Sequence, residues 1–416
     1  MMLWLNIALR NTWKNRRRSA YTILAIALGY AGVNVFGGFK AYLDATMKNA
    51  FIHVNAMGHL TVFKHGFNSE GRRDSTKFLI TAKELEEINR IVRTRSDVAV
   101  ISPQLQIQGL VSNGQVSTVF VAIARQPSEF VAISKRAGGW MAGRSHYDGQ
   151  PLRDDLPHGV ALSNGLAELL GFKYGDNAVV MSPTVAGNIN ALDGQYVAGF
   201  QSTVDALNDK QMEVPLSFGQ ELYSTDSVDR VVILFNDDLD LDLKKAWLRE
   251  RLSAAGLDME ILDWQERAPF YVAVQRMTDM IFIVMFIIVF IIVVMSIINT
   301  IGMTILERTR EIGTLRAVGL KRRGIIRLFA LESLLLGILG SAAGLVLFLC
   351  EWALVLWIAP QWTPPTYSKP IPLQIYLVPS YLIWSTVFLC VLSLLSPILP
   401  ARRAAHMEVV DALGHV

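Results

Sequence analysis

Between Met280 and Leu306 the chain runs for 27 residues without a charged side chain. A helix crosses the hydrocarbon core of a bilayer in about 20 apolar residues, and one charge at its centre costs about 2.5–3.5 kcal/mol. So long an uncharged run therefore predicts a membrane span. Three more stretches meet the same standard. Ser19–Phe39 and Leu377–Leu399 carry no charge, and Gly324–Cys350 carries charge only near its start, at Arg327 and Glu332. Only 18% of the 416 residues are charged, against about a quarter in soluble domains. The two cysteines, Cys350 and Cys390, both sit in apolar runs, so a disulfide framework or a Cys-based zinc site is not available to the rest of the chain. The first span has a basic flank like that of a signal peptide. Its apolar run is long, however, and no small-x-small cleavage site follows, so it is read as a retained anchor.

Basic residues orient the spans. Lys14 and Arg16–Arg18 precede the first, six Lys or Arg lie between Glu307 and Ile325, and Arg402 and Arg403 follow the fourth. Between spans three and four there is a single basic residue, Lys369. By the positive-inside rule both termini and the Glu307–Ile325 segment are cytoplasmic, which leaves more than half the chain outside. The reading is an α-helical membrane protein with four transmembrane helices and a large extracytoplasmic α/β (α+β) domain inserted between helices one and two. Its parts are an amphipathic cytoplasmic N-terminal helix over 1–18 (Leu3, Ile7 and Trp13 with Arg10, Lys14 and Arg17), a first span over 19–41 and the outer domain over 42–276. Then come the second span over 277–306, a cytoplasmic helix over 307–323, the third span over 324–358, a Pro-rich outer loop over 359–376, the fourth span over 377–400 and a cytoplasmic tail over 401–416.

In the outer domain, Thr81–Thr94 has Leu85, Ile88, Ile91 and Val92 at helical spacing, with Thr81 and Glu84 forming a capping box. Two β-rich runs flank Asn113-Gly114, a hairpin signal. "HGVALSNGLAELLGFKYGDNAVVMS" reads as strand, short helix, turn and strand, and Val228–Phe235 as a strand followed by a helix over Leu241–Ala255. Thr184–Ser224 lacks periodicity and is left open between a long hairpin, a mobile loop and a contact surface. Catalytic motifs are not found here. His53, His59 and His65 recur six apart, a poor spacing for a helical metal site, and Asp154-Asp155 and Asp237-Asp238 read as turn or surface pairs. Catalytic residues: none; metal ligands: none.

Within the membrane, Gly340 and Gly344 form a small-xxx-small motif, and Gly29 and Gly32 suit close helix packing; both serve within one subunit or between two. Glu332 lies about 12 Å along the helix from Gly324 and is read as one half of an ion pair with Arg327 or a neighbouring basic residue. The segment Glu307–Gly319 is more than a loop. Ile312, Leu315 and Val318 recur every three residues as an apolar stripe, Arg308, Arg310, Glu311 and Arg316 decorate the remainder, and Gly319 suits a left-handed helix end. Such a helix fits either anionic headgroups or a cytoplasmic partner protein; Glu307 and Glu311 count against the lipid.

"ERTREIGTLRAVGLKRRGI" followed by "LFALESLLLGILGSAAG" resembles the signature of MacB/FtsX-type ABC transporter permeases, and the layout of one span, a large outer domain and three more spans is similar throughout. "NIALRNTWKNRRRSAYT" resembles the openings of lipoprotein-releasing (LolC/LolE-like) permeases. The resemblance implies that Glu307, Arg308, Glu311, Ile312, Gly313, Leu315, Arg316 and Gly319 form a coupling helix that docks on an ATPase. Glu332, Gly340 and Gly344 match the pattern of the third span. A G-x-x-x-x-G-K-[ST] loop is lacking in this sequence, so the expected ATPase dimer, with its ATP and Mg, is a separate chain and this one binds no cofactor. The further expectations are a non-catalytic permease in the bacterial inner membrane, paired with a second copy or paralogue, in contact with membrane lipids and not with nucleic acid, and served by a periplasmic adaptor or acceptor. Its function would be mechanotransmission that moves lipoproteins or other amphipathic, lipid-anchored cargo. The alternatives are an FtsX-like signalling permease controlling a cell-wall hydrolase and MacB-like efflux of peptides or drugs with an adaptor.

Overall fold

The computed structural model describes residues 16–70, 75–142, 146–202, 205–363 and 370–406. Residues 1–15 of the amphipathic helix expected over 1–18, and the middle of the Pro-rich loop, lie outside the described residues, and Arg16–Arg18 begin the first long helix. In chain order the helices are α1 (Arg16–Asn49), α2 (Ala82–Val92), α3 (Pro127–Ser134), α4 (Asn164–Leu169), α5 (Leu216–Tyr223), α6 (Leu241–Ala254), α7 (Trp264–Arg267), α8 (Pro269–Glu307), α9 (Thr309–Ala317), α10 (Arg322–Ile358), α11 (Pro379–Leu395) and α12 (Ile398–His406). The strands are β1 (Leu60–Lys64), β2 (Val98–Ser112), β3 (Ser117–Arg125), β4 (Tyr147–Gly149), β5 (Gly159–Ser163), β6 (Asn177–Pro183), β7 (Ile189–Phe200), β8 (Gln211–Pro215), β9 (Arg230–Phe235) and β10 (Met259–Asp263). They fall into two compact units. One holds the chain up to Asp44, Val274–Gln361 and the chain from Pro372; the other holds Ala45–Ala273 and Trp362–Ile371.

The first unit is helical. Four helical stretches, Arg16–Val54, Pro269–Glu307, Arg322–Ile358 and Pro379–His406, are long and apolar enough to cross a membrane. At 39 residues, α8 is about 58 Å long, so it outreaches a hydrocarbon core of about 30 Å by several turns. Lipid tails are as apolar as leucine, so these helices associate through close packing and hydrogen bonds rather than through the hydrophobic effect. The glycines of α10 serve that purpose inside the chain: a Cβ at Gly340 would lie 2.6 Å from Ile26 of α1, and one at Gly344 2.7 Å from Tyr30. A Cβ at Gly29 would meet Val289 of α8 at 2.8 Å. Gly32 does not share this role, because nothing lies within 4 Å of the Cβ it lacks. It stands one turn beyond Leu28, which is 55% exposed, and so lies on the face of α1 turned away from the other helices. Polar side chains tie α1 to α11: Asn34 Nδ2 donates to Ser385 Oγ at 3.0 Å, and the Tyr30 hydroxyl donates to the Leu382 carbonyl at 3.2 Å. Lys40 bridges Asp44 and Asp279 at 2.9 and 3.0 Å, joining α1 to α8.

The second unit is a ten-stranded mixed sheet in the order β10-β1-β9-β2-β3-β8-β5-β7-β4, with β6 pairing β2 and β7. β3–β8 and β5–β7 run parallel; the other pairs are antiparallel. The 15-residue β2 serves two cores. Near its start, α2 and α6 cover β1, β9 and β10 around Ile88, Val231, Ile233, Leu248 and Ile261. Toward its end, α4 and α5 pack on β3, β5, β6 and β8 around Ile107, Phe120, Leu162, Val180 and Phe218. The capping box at Thr81 and Glu84 forms with both bonds, and the Asn113-Gly114 turn joins β2 to β3 with Gly114 at φ +89°. The stretch Thr184–Ser224 contains the whole second strand of the β6–β7 hairpin, then β8 and α5. Exposure alternates in the first part of β7; from Tyr196 onward both faces are covered and the alternation disappears.

Candidate functional site

The junction between α8 and α10 gathers most of the residues singled out in the cytoplasmic segment. α8 ends at Glu307, and Arg308 leaves the helix at φ −112°, ψ 17° before α9 begins at Thr309. Thr309 Oγ1 bonds back to the Ile305 and Leu306 carbonyls at 3.0 Å each, which holds the break as a tight turn. α9 ends in a Schellman motif. Gly319 adopts φ +103°, its N–H reaches the Arg316 carbonyl at 3.0 Å, and the Leu320 N–H reaches the Leu315 carbonyl at 3.0 Å.

Three connections hold this short helix against the long ones. Glu307 accepts both Arg18 guanidinium nitrogens, at 2.8 and 3.0 Å, and so ties the end of α8 to the start of α1. One turn deeper, Thr22 Oγ1 and Thr300 Oγ1 lie 2.5 Å apart. Arg308 donates through Nε to Glu311 at 2.8 Å, while its Nη1 faces Glu332 Oε2 of α10 at 3.7 Å. Glu332 is 4% exposed, and neither that oxygen nor that nitrogen has a hydrogen-bond partner among the described residues. Ile312 is buried in a cluster with Ile305, Ile325, Ala401, Ala404 and Ala405, so α12 forms the third support.

Two expectations are corrected here. Glu332 pairs with Arg308, not Arg327, which is exposed and makes no ion pair among the described residues. Arg327 precedes Glu332 by five residues, about 500° of helical rotation, and this turns the two side chains well apart. The Ile312–Leu315–Val318 apolar stripe winds around the helix and does not stay on one face. Each three-residue step falls short of a turn by about 60°. Ile312 is therefore 7% exposed, Leu315 42% and Val318 84%. The contribution of Arg18 had no sequence signal beyond its charge, since its partner lies 289 residues away. The tail over 401–416 begins in helix α12, whose buried face is Ala401, Ala404 and Ala405 at helical spacing.

In the second unit His59 is structural, whereas His65 is exposed. His59 is buried, accepts the Phe235 N–H at 3.0 Å through Nδ1, and is pushed down to about 4 by burial and the neighbouring His53, so it is neutral at physiological pH. Among the described residues, three His, Cys, Asp or Glu side chains do not come together as metal ligands.

Residues 19–251 match the model of the MacB-like periplasmic core domain, and residues 283–409 that of the FtsX-like permease C-terminal region. The chain is 23% identical over 419 residues to the pyoverdine export ATP-binding/permease protein PvdT of Pseudomonas syringae pv. tomato, an alignment covering 98% of this chain and 58% of that protein. It is 22% identical over 413 residues to the macrolide export ATP-binding/permease protein MacB of Bartonella quintana, covering 96% and 57%. The chain thus spans less than two thirds of the length of these relatives. Among solved structures, the periplasmic region of MacB from Actinobacillus actinomycetemcomitans aligns with 51% of this chain and 92% of its own, at 13% identity and a TM-score of 0.38.

Proposed function

The chain belongs to the MacB-like periplasmic core domain family and carries an FtsX-like permease C-terminal region, and from that premise we propose that α9 is the element through which an ATP-binding partner drives it. The single observation that carries this reading is the exposed edge of α9. Val318 and Leu315 stand open, 84% and 42% exposed, on a helix whose buried side is held by Ile312 and whose start is anchored by Arg308 and Glu307. A rigidly seated helix with an uncovered apolar edge is suited to take up a push from a protein surface. Covering Val318 stabilises a complex by about 1.5–3 kcal/mol, and covering the half-buried Leu315 by less.

In this proposal the α9 end of the helical unit faces the cytoplasm, as the basic residues around it support. ATP and Mg reside on the partner, and this chain is a non-catalytic permease of the inner membrane working with a second permease copy. Pressure on α9 passes along α8 and α1, which Arg18–Glu307, Thr22–Thr300 and Lys40–Asp279 couple along their length. The outer unit then engages an amphipathic or lipid-anchored cargo already outside the membrane. The relatives' names, which give export of pyoverdine and of macrolides, support export in a coarse sense.

The test is co-expression of the chain with an ATP-binding partner and measurement of ATPase activity in membranes. Leu315→Asp with Val318→Asp alters side chains that this chain does not bury, so its own folding changes little. Assembly or coupled ATPase activity is expected to fall at least tenfold. Undiminished assembly and activity would remove α9 from the coupling role. A reconstituted complex that releases a labelled lipoprotein on ATP addition supports lipid-anchored cargo; release of a small amphipathic compound alone supports efflux.

A further inference from the structure

A cavity of about 560 Å³ opens in the second unit between β1, β2 and β9 and the short helix α7. Its charged side chains, Asp229, Arg230, Glu266 and Arg267, are unevenly paired. Arg230 is buried and paired with a carboxylate: Nε and Nη2 each donate to Asp229 at 2.7 Å, and Nη2 also donates to Gln106 Oε1 at 3.0 Å. Asp229 in turn accepts the Gln106 N–H at 3.1 Å. Glu266, on the rim, shares Lys245 with Asp263 and accepts the Asp263 N–H at 2.9 Å. Arg267 differs from these. Nη1 donates to Thr61 Oγ1 at 2.7 Å and to the Met57 carbonyl at 3.4 Å, while Nε and Nη2 have no partner and no carboxylate lies within 4 Å among the described residues. Burial, aided by Arg230 and opposed by Asp229, pushes it down to about 9, so it stays cationic at neutral pH.

An uncompensated cation beside a cavity carries a desolvation cost that an anion would relieve. The remaining walls narrow the choice of anion. Phe63 and Phe67 stack with centroids 5.1 Å apart, and the Arg230 and Arg267 guanidinium carbons lie 5.4 and 5.5 Å from the Phe63 centroid. Asp229 and Glu266 also face the space, so one negative charge balances Arg267 whereas two would meet their repulsion. The planar fork of Arg267 fits the two oxygens of a carboxylate.

We propose that this cavity is a binding site for a monoanionic carboxylate carried on an aromatic or apolar body, with Arg267 as its anchor. The carboxylate takes the free Nε and Nη2 donors, and the body lies against Phe67 with the Gln106 and Gln108 amides at its edge. The assignment stands apart from the coupling role of α9, because binding is read on this chain alone.

The test uses the full chain in nanodiscs and 1-naphthaleneacetate as probe, with binding followed by saturation-transfer NMR and calorimetry. The uncharged 1-naphthaleneacetamide is expected to bind at least tenfold more weakly, a comparison that needs no substitution. Arg267→Gln is expected to lose at least tenfold, Arg267→Lys to retain part of the affinity, and Arg251→Gln on the exposed side of α6 to bind as the parent does. The dianionic 1-naphthyl phosphate, at pH 8, is expected to bind more weakly than the carboxylate. Equal binding of acid and amide would overturn the proposal, as would undiminished binding by a folded Arg267→Gln chain. Tighter binding of the phosphate would overturn the monoanion assignment.

Discussion

Arg308 terminates α8, salt-links Glu311 and stands opposite the buried Glu332, all from one break in the helix. Removing one member of a buried pair leaves the other charge uncompensated, at a cost of about 3–5 kcal/mol, whereas replacing both with apolar side chains is often neutral. Arg308→Met alone is therefore expected to lower the melting temperature of the detergent-solubilised chain clearly. Arg308→Met with Glu332→Leu should recover most of that loss in a double-mutant cycle. If both variants melt alike, the pair carries no stability. Glu213 makes a comparable case in the outer unit. Burial alone would raise its pKa, but Arg125 at 2.6 Å, His146 at 3.2 Å and the Tyr147 hydroxyl at 2.6 Å hold it well below the usual carboxylate range. A depressed folded-state pKa contributes stability that is present above the unfolded value of about 4.3 and lost as pH falls below it. Thermal stability should thus drop as pH is lowered below about 4, and Glu213→Gln should start lower and show a flatter acid limb. Neither partner choice is visible locally: Arg125 and Glu213 are 88 residues apart.

At the scale of elements, the local signals were reliable where one residue has one conformational task. The Thr81–Glu84 capping box, the Asn113-Gly114 turn and the left-handed Gly319 were all legible, because each depends on neighbours within six residues. Packing roles were not equally legible. Gly29, Gly32, Gly340 and Gly344 look alike in sequence, yet only three of them lie against another helix. Gly340→Val is expected to separate α1 from α10 and lower the melting temperature by several degrees, since the added carbon meets Ile26 at 2.6 Å. Gly32→Ala meets nothing and should be neutral or stabilise the helix by about 0.5–1 kcal/mol. Equal destabilisation by the two would mean that Gly32 packs against a second chain.

At the scale of the whole molecule, the helical unit's spans and the inserted sheet unit make orientation the property on which the proposed function rests. In a background lacking Cys350 and Cys390, a cysteine at Ile189, 82% exposed, should react with an impermeant maleimide added to spheroplasts. A cysteine at Val318, 84% exposed, should react only after lysis. The reverse pattern would invert the topology and with it the coupling model.

The sequence by itself determined that this chain has four helices able to span a membrane, a large α/β insert and a basic helix that ends at Gly319. Those properties rest on apolar run length, charge placement and backbone freedom, which act over one or two turns. The tertiary structure decided which charges meet. It set Arg18 on Glu307, Arg308 on Glu332 and Asp229 on Arg230, and it left Arg267 beside a cavity with no carboxylate partner among the described residues. The strand order brings β9 between β1 and β2, and this placed Arg230 on one wall with Phe63 and Gln106, each of which precedes it by more than a hundred residues. Electrostatic pairing acts across space at a few ångströms, so its outcome exists only once the sheet and the bundle have closed.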